Sequence, residues 1–220
     1  MIFRNRNKNS AKVFCIGGGK TGTTSIEKAL KDFGYKMGDQ AKGELLLNAY
    51  AERSFEDIVR YCESAEAFQD APFCFKHTFI ALDQAYPNAK FILTIRDSQE
   101  QWYNSLVKFH SKLITGGERV PTVADLKNFG YRYKGYVWDV RQKVFGFSEQ
   151  DDPYDETKLK DYYTSHNNMV LDYFKNKSNL LVLNVAETDS YKKLCEFLDQ
   201  KPLYTAFPWE NKTSDILKKI

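Results

Sequence analysis

The sequence predicts an α/β fold with a central parallel sheet flanked by helices, and three observations predict it. Short, nearly continuous apolar runs rich in β-branched and aromatic residues alternate with longer amphipathic segments, as expected of strands covered on both faces by crossover helices. The first apolar run passes through a cluster of glycines directly into a helical pattern. The chain has 220 residues, and single cores rarely outgrow roughly 250. One domain over 1–220 is therefore expected, with a basic arm over 1–11 and a lid or insertion over 116–155.

The strands are expected at 12–16 (KVFCI), 67–69, 90–95 (KFILTI) and 180–184 (LLVLN). Helices fit between them at 23–33, about 55–64, 81–86 and 101–113. A longer one follows at 156–175, where Leu159, Tyr162, Tyr163, Met169, Val170, Tyr173 and Phe174 recur broadly at helical spacing. A helix at 191–198 closes the fold. Between 116 and 155 the pattern breaks into GGERVP, an aromatic and basic stretch, and the acidic turn SEQDDPYDE. Its length suggests a lid. An ordinary helix with an aromatic core face is the other reading, because Tyr133, Tyr136, Val137 and Val140 fall at helical spacing.

Composition narrows the ligand. With 42% hydrophobic and 28% charged residues, and with 16 Phe and 14 Tyr, the chain is globular rather than disordered. Its net charge of +3 is spread along the chain, whereas a nucleic-acid binder gathers Lys and Arg onto one stripe. A local anionic ligand is expected, and no nucleic acid. The densest basic stretch, 4–12, reads as a solvated arm. Cys15, Cys62, Cys74 and Cys195 form no CxxC pair and no His stands at zinc-ligand spacing, so buried thiols are expected rather than disulfides or a metal site. The first residues lack a signal-peptide core, and nothing approaches the ~18 apolar residues of a membrane span. A cytoplasmic enzyme is the default expectation, although an excised catalytic domain of an anchored protein would look the same.

The phosphate-binding signal is GGGKTGTTS, from Gly17 to Ser25. A strand, a glycine turn and a helix N-terminus point main-chain N–H groups and the positive end of the helix dipole at an anion. Thr23, Thr24 and Ser25 add hydroxyls and Lys20 adds a charge. Three nucleotide families share this arrangement. A GxxxxGK[ST] loop for ATP or GTP is disfavoured, because Thr23 follows Gly22 and the lysine stands two positions before that glycine. A dinucleotide GxGxxG is formally present in Gly17, Gly19 and Gly22, with Asp39 near the distance for a ribose hydroxyl.

GGGKTGTTSIEKAL resembles the 5′-phosphosulfate loop of the sulfotransferases, in which a Lys or Arg precedes GT[TS]. The resemblance implies a P-loop-like three-layer fold and, as co-substrate, 3′-phosphoadenosine 5′-phosphosulfate, with no metal required. It implies that Lys20 meets the bridging oxygen and sulfonate, and that Thr23, Thr24 and Ser25 bind the 5′-phosphate within a cradle that includes Gly19, Thr21 and Gly22. YPNAKFILTIRDSQEQWYNS is similar to the family's second motif, a strand ending in Arg with Ser on the next helix. Arg96 and Ser105 occupy those places and are expected to hold the 3′-phosphate, Arg96 alternatively forming a surface ion pair with Asp97. The resemblance continues through LKDYYTSHNNMVLDYF, NLLVLNVAETDSYKKLCEFLD and AFPWENKT, and so covers most of the chain from Lys12 to about Thr213.

Sulfuryl transfer to a hydroxyl needs a base within hydrogen-bond reach of the acceptor proton. Cytosolic sulfotransferases set a His there in KTHLP; the corresponding strand here, AEAFQDAP, sets Asp70 before AlaPro, and Asp70 is the first choice. It needs a raised pKa to act near neutrality, and it could instead cap a helix beginning near Pro72. His77 is the second choice. His166 is expected to serve packing or hydrogen bonding, His110 has no identifiable partner, Asp97 reads as structural, and neither Trp102 nor Tyr103 is assigned to the site. A small-molecule, glycan or lipid acceptor is expected. Tyr131, Arg132, Tyr133, Lys134, Tyr136 and Trp138 either line its pocket or form the core of the lid. The rival readings are a nucleotide kinase or other phosphoryl transferase, a non-catalytic nucleotide-binding module and, last, a nicotinamide-dependent oxidoreductase.

Overall fold

The computed structural model describes residues 11–207. Four parallel strands form one sheet in the order β2-β1-β3-β4, with β1 at Val13–Cys15, β2 at Ala67–Phe68, β3 at Lys90–Thr94 and β4 at Leu180–Leu183. Side chains alternate across the sheet, as the period of two requires. Phe14 and Ile16 enter one core together with Phe68, Phe91 and Leu93. Val13, Cys15, Ala67 and Ile92 enter the other. Register is marked by an aromatic row. Phe14 pairs with Phe68 on one side and Phe91 on the other, with ring centroids 5.5 Å apart in both cases. Truncating a ring buried this way typically costs about 3–5 kcal/mol.

Helices cover both faces. On the second core lie α1 (Thr23–Asp32) and α10 (Ser190–Phe197), through Ile26, Ala29, Leu30, Tyr191 and Leu194. On the first lie α3 (Leu47–Ala51), α4 (Phe55–Tyr61), α5 (Thr78–Ala85) and α9 (Glu156–Phe174). A third cluster centres on Trp102, Leu126, Trp138 and Leu159. It joins α9 to α6 (Gln99–Thr115), α7 (Val123–Asn128) and α8 (Tyr136–Lys143).

All four expected strands are present, and the differences lie in the helices. α6 begins two residues earlier than its apolar spacing suggests, because the Ser98 hydroxyl caps it by accepting from the Gln101 N–H. α5 begins at Thr78 rather than near 81. α2 (Gln40–Glu44) and α3 were not foreseen; at five residues each they are too short to display a helical period. Asp39, the residue a dinucleotide site would need for its ribose, instead caps α2 by accepting from the Lys42 N–H at 3.1 Å. The 116–155 segment carries two helices, and Tyr133 stands ahead of α8, exposed, rather than on its core face.

Of the basic stretch 4–12, only Ala11 and Lys12 are among the described residues. Lys12 is no solvated arm, since its ammonium donates to the carbonyls of Cys62 at 2.7 Å and Ala65 at 2.8 Å. The C-terminal AFPWENKT lies outside the described residues beyond Phe207. The four cysteines are buried free thiols. No described helix is long and apolar enough to cross a membrane.

Candidate active site

The chain leaves β1 toward β2 on one side and leaves β3 toward β4 on the other. In an open parallel sheet that reversal opens a crevice at the C-terminal ends of the strands. The residues just past β1, β2 and β3 meet there, around a cleft of about 800 Å³ lined among others by Lys20, Asp70 and Arg96.

Past β1, the glycines let the chain run where no side chain fits. A Cβ on Gly17 would collide with the main chain of Thr94. Gly22 has φ 104° and faces Val185 at a distance that also excludes a Cβ. Three consecutive loop carbonyls are then taken up by donors. The Thr21 hydroxyl donates to Gly18 at 2.6 Å, the Trp102 indole to Gly19 at 2.9 Å, and Nε of Arg96 to Lys20 at 2.7 Å. Acceptors that would repel an anion are thereby occupied. By contrast, the N–H groups of Gly22, Thr23 and Thr24 make no main-chain hydrogen bond among the described residues, as the opening of a helix dictates. All three residues line the cleft, with Gly19 and Ser25 beside them.

Thr21 departs from expectation. It is fully buried, its N–H donates to Gly18 at 3.2 Å, and its hydroxyl also meets that of Thr94 at 2.5 Å. It precedes the helix and turns inward, so it staples the loop and does not face the cleft.

Lys20 and Arg96 make no ion pair with a carboxylate among the described residues. The Lys20 ammonium lies 3.8 Å from the centroid of the Phe109 ring. Burial first, and the charge of Arg96 second, pull its pKa down to about 8. Burial likewise lowers that of Arg96. Arg96 is fixed at both ends, because its N–H also donates to the Tyr163 hydroxyl at 3.0 Å. Asp97 is structural: Gln101 and Asn184 donate to its carboxylate.

Past β2, Asp70 has φ 60° and accepts from the Thr23 hydroxyl and from Nε2 of Gln40, both at 3.1 Å. It caps no helix, since α5 begins only after His77. Gln40 also donates to Glu44 at 2.8 Å; Glu44 is buried and paired with Arg132. Burial, and then the neighbouring charge of Glu44, push the Asp70 carboxyl up to about 6. The structure therefore brings Asp70 to the cleft. It leaves His77 exposed at the head of α5, away from the cleft lining, where burial and the charges of Arg53 and Lys76 hold its pKa down. Ser105 is half-buried on α6 and does not line the cleft, although Trp102, Leu106 and Phe109 of the same helix do.

His166 is buried on α9, with Nε2 2.9 Å from the Ile16 carbonyl; burial brings its pKa to about 4, so it is neutral and donates that bond. His110 has partners after all in Tyr154 and Arg141. Of the aromatic and basic residues of 131–138, only Tyr131 and Tyr136 line the cleft, with Val137 between elements of the wall. Trp138 belongs to the third core. Gln40, Glu44, Trp102 and Arg141 were not assigned to the site from sequence. A brace or a tuning charge of this kind has no spacing signature.

A family model described as a sulfotransferase domain matches residues 12–216. The chain belongs to the sulfotransferase family. No match is found among the curated proteins. In this sulfotransferase the matched span contains every residue gathered in the cleft. Among its described residues no group of three or more His, Cys, Asp or Glu side chains is placed to hold a metal ion.

Proposed function

We propose that this sulfotransferase moves a sulfuryl group from 3′-phosphoadenosine 5′-phosphosulfate, in line and without a metal, to a hydroxyl or amine of its acceptor. The observation that carries the reading is the bond from Arg96 to the Lys20 carbonyl, in a cleft where neither cation forms an ion pair with a carboxylate among the described residues. A donor bearing anionic groups at both ends of an adenosine suits two such charges. The loop fits the 5′ end on independent grounds, since Gly17 and Gly22 exclude side chains, the carbonyls of Gly18, Gly19 and Lys20 are occupied, and the N–H groups of Gly22, Thr23 and Thr24 make no main-chain hydrogen bond among the described residues.

In this reading Gly22, Thr23, Thr24 and Ser25 hold the 5′-phosphate and Arg96 holds the 3′-phosphate, without Ser105, which stands outside the cleft lining. Asp70 takes the acceptor proton as the acceptor oxygen or nitrogen bonds to sulfur. Lys20 meets the electron pair left on the 5′-phosphate oxygen as the old bond to sulfur breaks, and a fixed ammonium stabilises that charge most when it is fully developed. The 116–155 segment, which supplies Tyr131, Tyr136, Val137 and Val140 to the wall, covers the acceptor.

Thermal stabilisation tests the donor. Adenosine 3′,5′-bisphosphate without metal should raise the melting temperature more than ATP with Mg²⁺ or NAD, because a ligand stabilises the folded state in proportion to its binding there. A larger effect of ATP with Mg²⁺ would replace sulfuryl by phosphoryl transfer. Bisphosphate binding with no turnover on any acceptor would leave a binding module.

A further inference from the structure

Arg141 lies on α8 and is 2% exposed, yet it lines the cleft. Its surroundings are unusual for a buried cation. The guanidinium lies over the rings of Tyr154 and Phe145, 4.8 and 5.1 Å from their centroids. One terminal nitrogen donates to Nδ1 of His110 at 3.2 Å, and Nε is buried with no hydrogen-bond partner among the described residues. Beyond burial, the groups acting on its charge are the hydroxyls of Tyr154, which also hydrogen-bonds it, and Tyr103, and it forms no ion pair with an Asp or Glu among the described residues. His110 cannot serve as a counter-ion, being neutral or positive in any state, and burial with the charges of Arg141 and Lys20 keeps it neutral. Interior cations are normally paired, because an unpaired one forfeits its hydration without recompense. The Lys20 ammonium lies over the ring of Phe109, the residue before His110, which sets Arg141 toward the reactive end of the cleft, whose lining there includes the apolar Phe109, Leu113, Val140 and Phe145.

We propose that Arg141 binds the carboxylate of the acceptor, so that the substrates are hydroxylated carboxylic acids with an aromatic or aliphatic body. The body lies against the apolar wall while the hydroxyl reaches Asp70; this rests on the reading of the cleft given above. A planar guanidinium with an unused N–H suits a carboxylate. The missing anion could also come from the donor, as a phosphate or sulfonate, and the experiment separates the two.

Calorimetry on the full chain saturated with adenosine 3′,5′-bisphosphate compares 3-(4-hydroxyphenyl)propanoate and 10-hydroxydecanoate with their methyl esters. At least one acid should bind roughly ten-fold or more tightly than its ester, the scale of a charged hydrogen bond. Arg141→Gln should bring the pair within about two-fold while leaving bisphosphate affinity unchanged, and Arg141→Lys should retain an intermediate preference. Equal binding of acid and ester in the unaltered protein overturns the proposal without any variant, and so does a preference that survives Arg141→Gln. A matching loss of bisphosphate affinity in Arg141→Gln assigns the cation to the donor and also overturns it. Should the bisphosphate not bind the unaltered protein, the donor assignment fails, and the same comparison without nucleotide still decides the role of Arg141.

Discussion

The indole N–H of Trp102 reaches the carbonyl oxygen of Gly19 at 2.9 Å while its ring lies on Tyr163, with centroids 4.7 Å apart and planes 14° apart. Tyr163 in turn accepts from the Arg96 N–H. The helix after β3, the loop after β1 and the arginine at the end of β3 are thus one hydrogen-bonded and stacked unit. A bracing role explains why the WY pair follows the arginine without requiring that either ring touch a nucleotide.

Trp102→Phe removes that bond and keeps most of the stacking. The loop should lose its preorganisation, and the protein should fold with a cost of about 1–2 kcal/mol, the usual penalty for a lost bond with an orphaned partner. Affinity for adenosine 3′,5′-bisphosphate should fall about ten-fold. Paired urea and calorimetric titrations check this: a stability loss with unchanged nucleotide affinity would confine Trp102 to the core.

Lys20 and Arg96 should separate kinetically. Lys20→Ala removes a charge needed chiefly as the leaving oxygen becomes anionic, so kcat should fall by about 10²–10³ with little change in donor KM. Arg96→Ala removes ground-state binding and should mainly raise the donor KM. It should also move the alkaline limb of the pH profile upward, because after burial the charge of Arg96 is the next cause lowering the Lys20 pKa. Steady-state kinetics across pH read both effects together.

The parts of this site that were legible in the sequence are those set by the main chain. An apolar run, a glycine turn and a hydroxyl-rich helix start must lie in that order, and the residue just past a parallel strand must lie at the ligand-binding edge. Gly22 and Arg96 follow from those two rules, and Asp70 from the resemblance of AEAFQDAP to the family's KTHLP strand end. What escaped depends on direction in space. Thr21 looks like its neighbours Thr23 and Thr24, yet it stands before the helix and turns to Thr94. Arg141 falls on a helix where a basic residue reads as solvated, yet it lies against His110 of α6 and over the rings of Phe145 and Tyr154. Glu44 lies on a helix of five residues, below the length at which periodicity can speak.

The pH profile of kcat/KM should be bell-shaped. Asp70 must be ionised to accept a proton, so activity rises with pH through about 6; Lys20 must be protonated, so activity falls as pH rises through about 8. Asp70→Asn should remove the acid limb and lower the rate by about 10²–10⁴. Glu44→Gln offers a finer check. Burial is the main cause of the raised Asp70 pKa and the charge of Glu44 the second, so removing that charge should move the acid limb to lower pH and leave the alkaline limb in place. An acid limb unmoved by Glu44→Gln and still present in Asp70→Asn would assign the base elsewhere.

The two constrained glycines should fail in different ways. At Gly17 an added Cβ meets the main chain of Thr94, which no rotamer change can relieve, so Gly17→Ala should cost about 1–3 kcal/mol and push the end of β1 away from β3. At Gly22 the collision is with the side chain of Val185 and adds to a left-handed φ of 104°, itself worth about 1–2 kcal/mol against a residue with a Cβ. Trimming the neighbour by Val185→Ala should therefore recover part of the stability lost in Gly22→Ala, but only the steric part. The double variant, compared with both single ones by urea denaturation, should show a coupling between positions 22 and 185, and additive losses there would mean that backbone conformation alone demands glycine at 22.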